Sequence, residues 1–424
     1  MRRDGCINKS RFLTRNRGID RLRLQIGIGT RWAWRFVLLL ALSTGSQIAV
    51  SAVEAASFHR GGVGNCGGCH TMHNSEGGLS IRSGATVSLL RASDPGSICL
   101  NCHAGAGGPA SPSVFSFDGS ALTPGGDFYW VTRTFSWNGG TSPAEQHGHN
   151  VIARDFNLSA DPQRISSPGG SYPASQLSCI SCHDPHGGLS QSASNGLPVS
   201  VSGSYGEPIA AGTVGGNYRL LGDSSYAVRG YSFREDAPIA RQNPSRPFVE
   251  SDDSHVDYGS GMSEWCGNCH RRMVTSKHNS GGGPGFRHPS GSQTRFDQQT
   301  LSRYNAYIRS GDLSGTADSS YLQFTPFERG ISDPQLLDPT STRGPDANSN
   351  VMCLTCHRAH ASAFPYAGRW DFTANLLADS HPALGDGGAS ASDVSNSYYG
   401  RDIGFEFGAD QGSFCGKCHE GGGK

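Results

Sequence analysis

The chain has little with which to build an ordinary apolar core. Hydrophobic residues make up only 35% of its 424 residues, and long apolar stretches of helical or strand period are few. In most chains such a composition predicts poor order. Positive charge is also lacking where a nucleic-acid binder would need it. The whole chain is neutral, and residues 1–57 hold nine Arg and one Lys against Asp4, Asp20 and Glu54, which is +7 and leaves −7 on residues 58–424. Nucleic acid is therefore not an expected partner. No cysteine stands near the small residues Ala55-Ala56-Ser57, so no lipid anchor is expected there.

Turn-forming residues are abundant, with 59 Gly and 22 Pro. Segments 167–171, 280–285 and 386–390 read as loops. At the start, a basic stretch leads into the apolar run Phe36–Leu42 and then to Ala55-Ala56-Ser57. This is the order of a secretory signal, expected over residues 1–57 and removed on export. Gly45, Ser46 and Gln47 interrupt the run too early for a permanent membrane anchor. The basic part is long for a signal, which leaves a later true start codon open. Cys6 falls in the discarded part and needs no role.

The other twelve cysteines form six copies of Cys-x-x-Cys-His. They are Cys66, Cys69 and His70; Cys99, Cys102 and His103; Cys179, Cys182 and His183; Cys266, Cys269 and His270; Cys353, Cys356 and His357; and Cys415, Cys418 and His419. Each reads as a covalent attachment site for c-type haem: the two thiols add to the two vinyl groups, and the His becomes the proximal iron ligand. Structural zinc would need pairs converging on one ion and does not call for a His after each pair. A thioredoxin-like pair would be single, and disulfides would leave six adjacent His unexplained. Six covalent haems are therefore expected, with export to match. The fold class is mostly coil with short helices and few short strands. It would be organised around a continuous stack of six haems whose macrocycles stand in for the missing apolar core. Folding should then depend on the cofactor.

Three motifs, alternating with the rest, continue to a second His three residues on: His70 to His73, His183 to His186, His357 to His360. Each extended motif also has a His upstream: His59, His149 and His288. Residues 58–424 thus divide into three two-haem modules, about 58–140, 141–278 and 279–424. The distal ligand candidates are His59, His73, His149, His186, His288 and His360. With the six proximal His they make twelve, the number that bis-His ligation of six irons requires. His147, His255, His278 and His381 are left over, and His278 is the nearest substitute. His73, one turn beyond His70, faces away from its own haem and must serve another, which brings haems into close contact. Bis-His iron has no open position for a substrate, and no motif carries Lys in place of its His. Electron carriage is expected rather than enzymatic chemistry. The alternatives are a monomeric periplasmic or outer-surface shuttle, or a multihaem reductase with a weakly held iron.

Beyond the haem motifs, the chain carries Phe58-His-Arg-Gly-Gly-Val63, Thr123-Pro-Gly-Gly-Asp-Phe128, Gly261-Met-Ser-Glu-Trp-Cys266, Ser310-Gly-Asp-Leu-Ser-Gly-Thr316 and Tyr398-Tyr-Gly-Arg401. With these it resembles the outer-surface hexahaem c-type cytochromes of metal-reducing bacteria, which polymerise into conducting extracellular filaments. The segment between His270 and His278 is longer than in that family. The resemblance implies head-to-tail stacking, with His73 ligating the fifth haem, that of His357, in the adjacent subunit. It implies other cytochromes and extracellular electron acceptors as redox partners. The location would be extracellular or the outer cell surface, reached through the periplasm, with no stable membrane insertion after processing.

Overall fold

The computed structural model describes residues 66–76, 79–80, 89–105, 111–186, 217–243, 245–246, 249–275 and 288–420. The expected signal segment, His59 and His278 lie outside the described residues. Among the described residues no helix is long and apolar enough to cross a membrane.

Regular structure is short and scattered, because turn residues interrupt every apolar run. The helices have local causes. Asp94 caps Pro95–His103 by accepting from the Ser97 amide at 2.8 Å, and Pro95 fills the first turn, where its missing N–H costs nothing. Asp297 caps Gln298–Ala306 through the Thr300 amide at 2.7 Å. Ser390 and Asp393 form a reciprocal capping box for Ala391–Ser397. Among the described residues the strands pair in twos, each pair antiparallel. The longest pair, Ile239–Gln242 with Val256–Ser260, carries a bulge between Ile239 and Ala240.

The few apolar side chains are concentrated rather than spread. Trp130, Phe135, Phe324, Phe364, Trp370 and Phe414 belong to one cluster, each no more than 1% exposed. Phe324 stacks on Phe414 at 5.1 Å, and Trp370 meets Phe414 edge-on at 5.8 Å. Burying each such ring contributes about 1.5–3 kcal/mol. Cys356 and Cys415 pack against this cluster, Cys266 against a second around Tyr258 and Met262, and Cys418 against a third around Tyr304. The protein's own aromatic packing thus sits directly behind the haem motifs.

Candidate haem sites

The motif spacing requires a helical turn, because residues i, i+3 and i+4 then share one face. Both thiols and the imidazole can then approach one macrocycle. Each motif folds this way. The second lies in helix Pro95–His103. In the third to sixth motifs the His amide donates to the carbonyl of the first Cys: His183 to Cys179 at 3.0 Å, His270 to Cys266 at 2.9 Å, His357 to Cys353 at 3.1 Å and His419 to Cys415 at 2.9 Å. The first motif's cysteines span helix Cys66–Cys69. None of the cysteines whose side chains are described forms a disulfide. Burial pushes Cys182 and Cys418 up to about 12 and Cys269 up to about 11, so these thiols are neutral.

Among the described residues no three or more of His, Cys, Asp and Glu gather as a metal site. The histidines come instead in facing twos. His70 faces His186 with ring centroids 6.3 Å apart and planes within 16°. His183 faces His360 at 6.3 Å, His149 faces His270 at 5.9 Å, and His288 faces His419 at 5.8 Å. Two metal–imidazole bonds of about 2 Å each, plus about 1 Å from each nitrogen to its ring centre, place centroids roughly 6 Å apart. The four spacings fit one iron held between each pair.

The tautomers fit as well. A carbonyl oxygen only accepts, so an Nδ1 bonded to one must carry the proton, and Nε2 is left for a metal. This holds for His103 on Pro112 (2.9 Å), His183 on Arg219 (2.8 Å), His270 on Pro168 (2.9 Å) and His357 on Tyr366 (2.8 Å). Among distal candidates it holds for His149 on Ala359 (2.6 Å) and His288 on Pro289 (2.7 Å). Burial lowers His149, lowers His270 to about 4 and lowers His360 to about 3, which favours the neutral ring that a metal needs.

Three of the four left-over histidines have other surroundings. His147 is fully buried with both ring nitrogens occupied, Nδ1 on the Trp130 carbonyl at 2.9 Å and Nε2 on the Ser142 hydroxyl at 2.6 Å. His381 stacks on Trp137 at 3.8 Å and pairs with Asp386 at 2.7 Å. His255 is buried flat against Tyr321 at 3.7 Å. His278 lies outside the described residues.

One expectation needs correction. The second His of an extended motif is not carried one helical turn past the first. The turn ends at the proximal His, which enters an extended bridge instead: His70 with Leu90, His183 with Leu221, His357 with Gly368. Pro185 within the third motif is incompatible with a continuing helix. The returning strand bends tightly through left-handed residues at each site: Leu89 (φ 50°), Arg219 and Leu220 (φ 50° and 55°), Tyr366 and Ala367 (φ 63° and 54°). Such backbone is costly for non-Gly residues and persists where the surroundings demand it. Here the Arg219 and Tyr366 carbonyls are delivered onto the Nδ1 of His183 and His357. These carbonyl partners escaped the sequence reading, because main-chain acceptors leave no side-chain signature. The turn-forming Ser-Pro pairs at 111–112 and 167–168 were the nearest signal.

Short turns presenting two thiols and an imidazole, with imidazoles paired across iron-sized gaps, define a multihaem c-type cytochrome. The comparisons with known proteins agree. The chain is 41% identical over 423 residues to the C-type cytochrome OmcS of Geobacter sulfurreducens, covering 88% of this chain and 96% of that protein. It therefore belongs to the OmcS family of c-type cytochromes and carries haem as a cofactor. Its structure is similar to the OmcS nanowires of Geobacter sulfurreducens seen by cryo-EM (TM-score 0.72, 39% identity, 85% of this chain and 99% of that chain). It is equally similar to the Outer Membrane Cytochrome S filament of the same organism (TM-score 0.73, 39% identity, the same coverages). No protein-family model matches the chain.

Proposed function

We propose that the chain is an extracellular electron carrier, not an enzyme, that polymerises head to tail into conductive filaments. The haems supply one-electron carriage between ferric and ferrous iron. The chain's residues attach them, orient them and fill both axial positions, which leaves no place for a substrate. We assign His70 with His186, His183 with His360, His270 with His149 and His419 with His288 as ligand pairs. By the same order His103 takes His59, since His149 and His288 each serve the plain motif of their own module.

The observation that carries the polymer is the order of pairing. His186, of the second extended motif, faces His70, of the first. His360, of the third, faces His183, of the second. Each extended motif thus sends its second His back to the motif before. Continued by one step, the rule leaves His73 with no earlier motif in its chain and His357 with no later one. The two ends suit each other if His73 of one copy completes the site of His357 in the next. His73 is exposed, as are its chain neighbour Met72 (80% exposed) and Leu79 (76%) in the short hairpin that follows. Around His357 stand Tyr366 (55% exposed) and Phe372 (37%). A head-to-tail contact whose rotation does not bring the chain back on itself yields open filaments.

Cryo-EM of secreted material, paired with electron paramagnetic resonance of the oxidised protein, tests the reading. Unbranched filaments with iron low-spin throughout, apart from one terminal site per filament, are expected. Discrete particles with all irons low-spin would establish the monomeric shuttle instead, and a large high-spin population in intact filaments would favour the reductase.

A further inference from the structure

We infer that Glu250 is a positioning residue that fixes three haem sites at once, those of the third, fourth and fifth motifs, through Arg358 and Arg369. This rests on the ligand pairs proposed above.

Glu250 lies outside every haem motif, and its side chain is 1% exposed. It accepts from Arg358 Nη1, and from Arg369 Nη1 with both oxygens, at 2.9 and 3.1 Å. The two guanidiniums are as deeply buried as the carboxylate. Each arginine ties the carboxylate to the ligand-bearing segment, Arg369 by bonding its backbone and Arg358 by belonging to it. Arg369 donates from Nε to the Leu354 carbonyl at 2.7 Å and from its amide to the Cys356 carbonyl at 2.8 Å. Arg358 follows His357 directly, reaches the Pro124 carbonyl with Nη1 at 3.2 Å and lies 3.5 Å from the ring centre of Tyr399. Segment 354–360 is thereby held from both sides.

That segment serves three sites. It holds His357, proximal at the fifth motif. It holds His360, whose ring faces His183 of the third. Its Ala359 carbonyl takes the Nδ1 of His149, whose ring faces His270 of the fourth, and the His149 amide donates to the His360 carbonyl at 2.8 Å. One carboxylate therefore sets the relative placement of all three.

The triad also carries charge. Two guanidiniums against one carboxylate leave a net positive charge in a region where water cannot screen it. A positive neighbour favours the reduced state of an adjacent haem, which bears one positive charge fewer. Removing the negative member should raise the nearby potentials, and removing a positive member should lower them. A purely architectural role predicts no such opposition of sign.

The experiment uses full-length secreted protein, with Glu250→Gln, Glu250→Asp and Arg358→Met compared with the parent. Intact mass is measured first, then potentiometric titration, then electron paramagnetic resonance of the oxidised form. Glu250→Gln should keep six haems but shift part of the titration to higher potential and alter about half of the low-spin signal. Arg358→Met should shift the same haems to lower potential. Glu250→Asp keeps the charge but is shorter, so it should restore the potentials more fully than the signal shape. Parent-like titrations and spectra in haem-complete Glu250→Gln and Arg358→Met would overturn the role, as would shifts of the same sign in both. If Glu250→Gln fails to mature, the Glu250→Asp and Arg358→Met comparison decides it. A parent protein without attached haem would sink the ligand assignments themselves.

Discussion

The imidazoles of His70 and His186 lie nearly parallel, 16° apart in plane and 6.3 Å apart in centroid, although one belongs to the first motif and the other to the third. If they share an iron, His186→Ala should leave all six covalent attachments intact and open one axial position. A carbon-monoxide-binding, high-spin iron should appear, at one site in six. His147→Gln is the control, because both His147 nitrogens are occupied by protein partners, and it should change no spin state.

Six attachment motifs behind a signal segment predict six haems on a chain that has lost about its first 57 residues. Intact-mass measurement of the secreted holoprotein reads both numbers together. Five or fewer haems on fully matured chains would contradict the assignment of every motif.

Replacing His73 tests the junction between copies. His73→Ala should keep six haems yet lose or shorten filaments, with one high-spin iron per copy. Added imidazole should restore the low-spin spectrum without restoring filaments, because a free ligand fills the iron but joins nothing. Normal filaments of His73→Ala with all irons low-spin would remove the cross-copy role and leave the monomeric shuttle as the better reading.

Acid should destabilise the fold through a histidine that binds no metal. Burial lowers His147 to about 4, against an unfolded value of about 6.5. Between those values the unfolded chain takes up a proton that the native chain refuses. The contribution of His147 is thus complete above about pH 6.5 and is lost as pH falls towards 4, by about 3 kcal/mol in all. Melting temperature should fall across that window, and His147→Gln should flatten part of the slope. His255, also lowered to about 4 by burial, keeps its share. Spin state recorded alongside separates this from ligand release.

Much of the site could be read from the chain because covalent haem attachment demands fixed residue types at fixed spacing. Cys179, Cys182 and His183 identify themselves, and so does the surplus of His that bis-ligation needs. The coil-rich fold followed from the Gly and Pro content. The pairing of His360 with His183 could not be read, since it depends on where distant turns come to rest. The extended backbone at the proximal His of each extended motif was missed because it is set by long-range bridges, such as that of His183 with Leu221, which override local helical spacing. Glu250 was invisible for a related reason. A single acid between Val249 and Ser251 carries no pattern, and its weight comes from two arginines more than a hundred residues away.

The backward step from each extended motif to the one before makes the proposed polymer directional. One terminus presents an unused imidazole and the other an iron lacking its sixth ligand, whatever the number of copies between them. A filament would then hold a single incomplete iron, and the high-spin fraction of a preparation would fall as the inverse of mean length. Spectroscopy would count chain ends as an end-group titration does for a synthetic polymer. A strong small-molecule iron ligand would act as a chain stopper at one terminus and leave the other free.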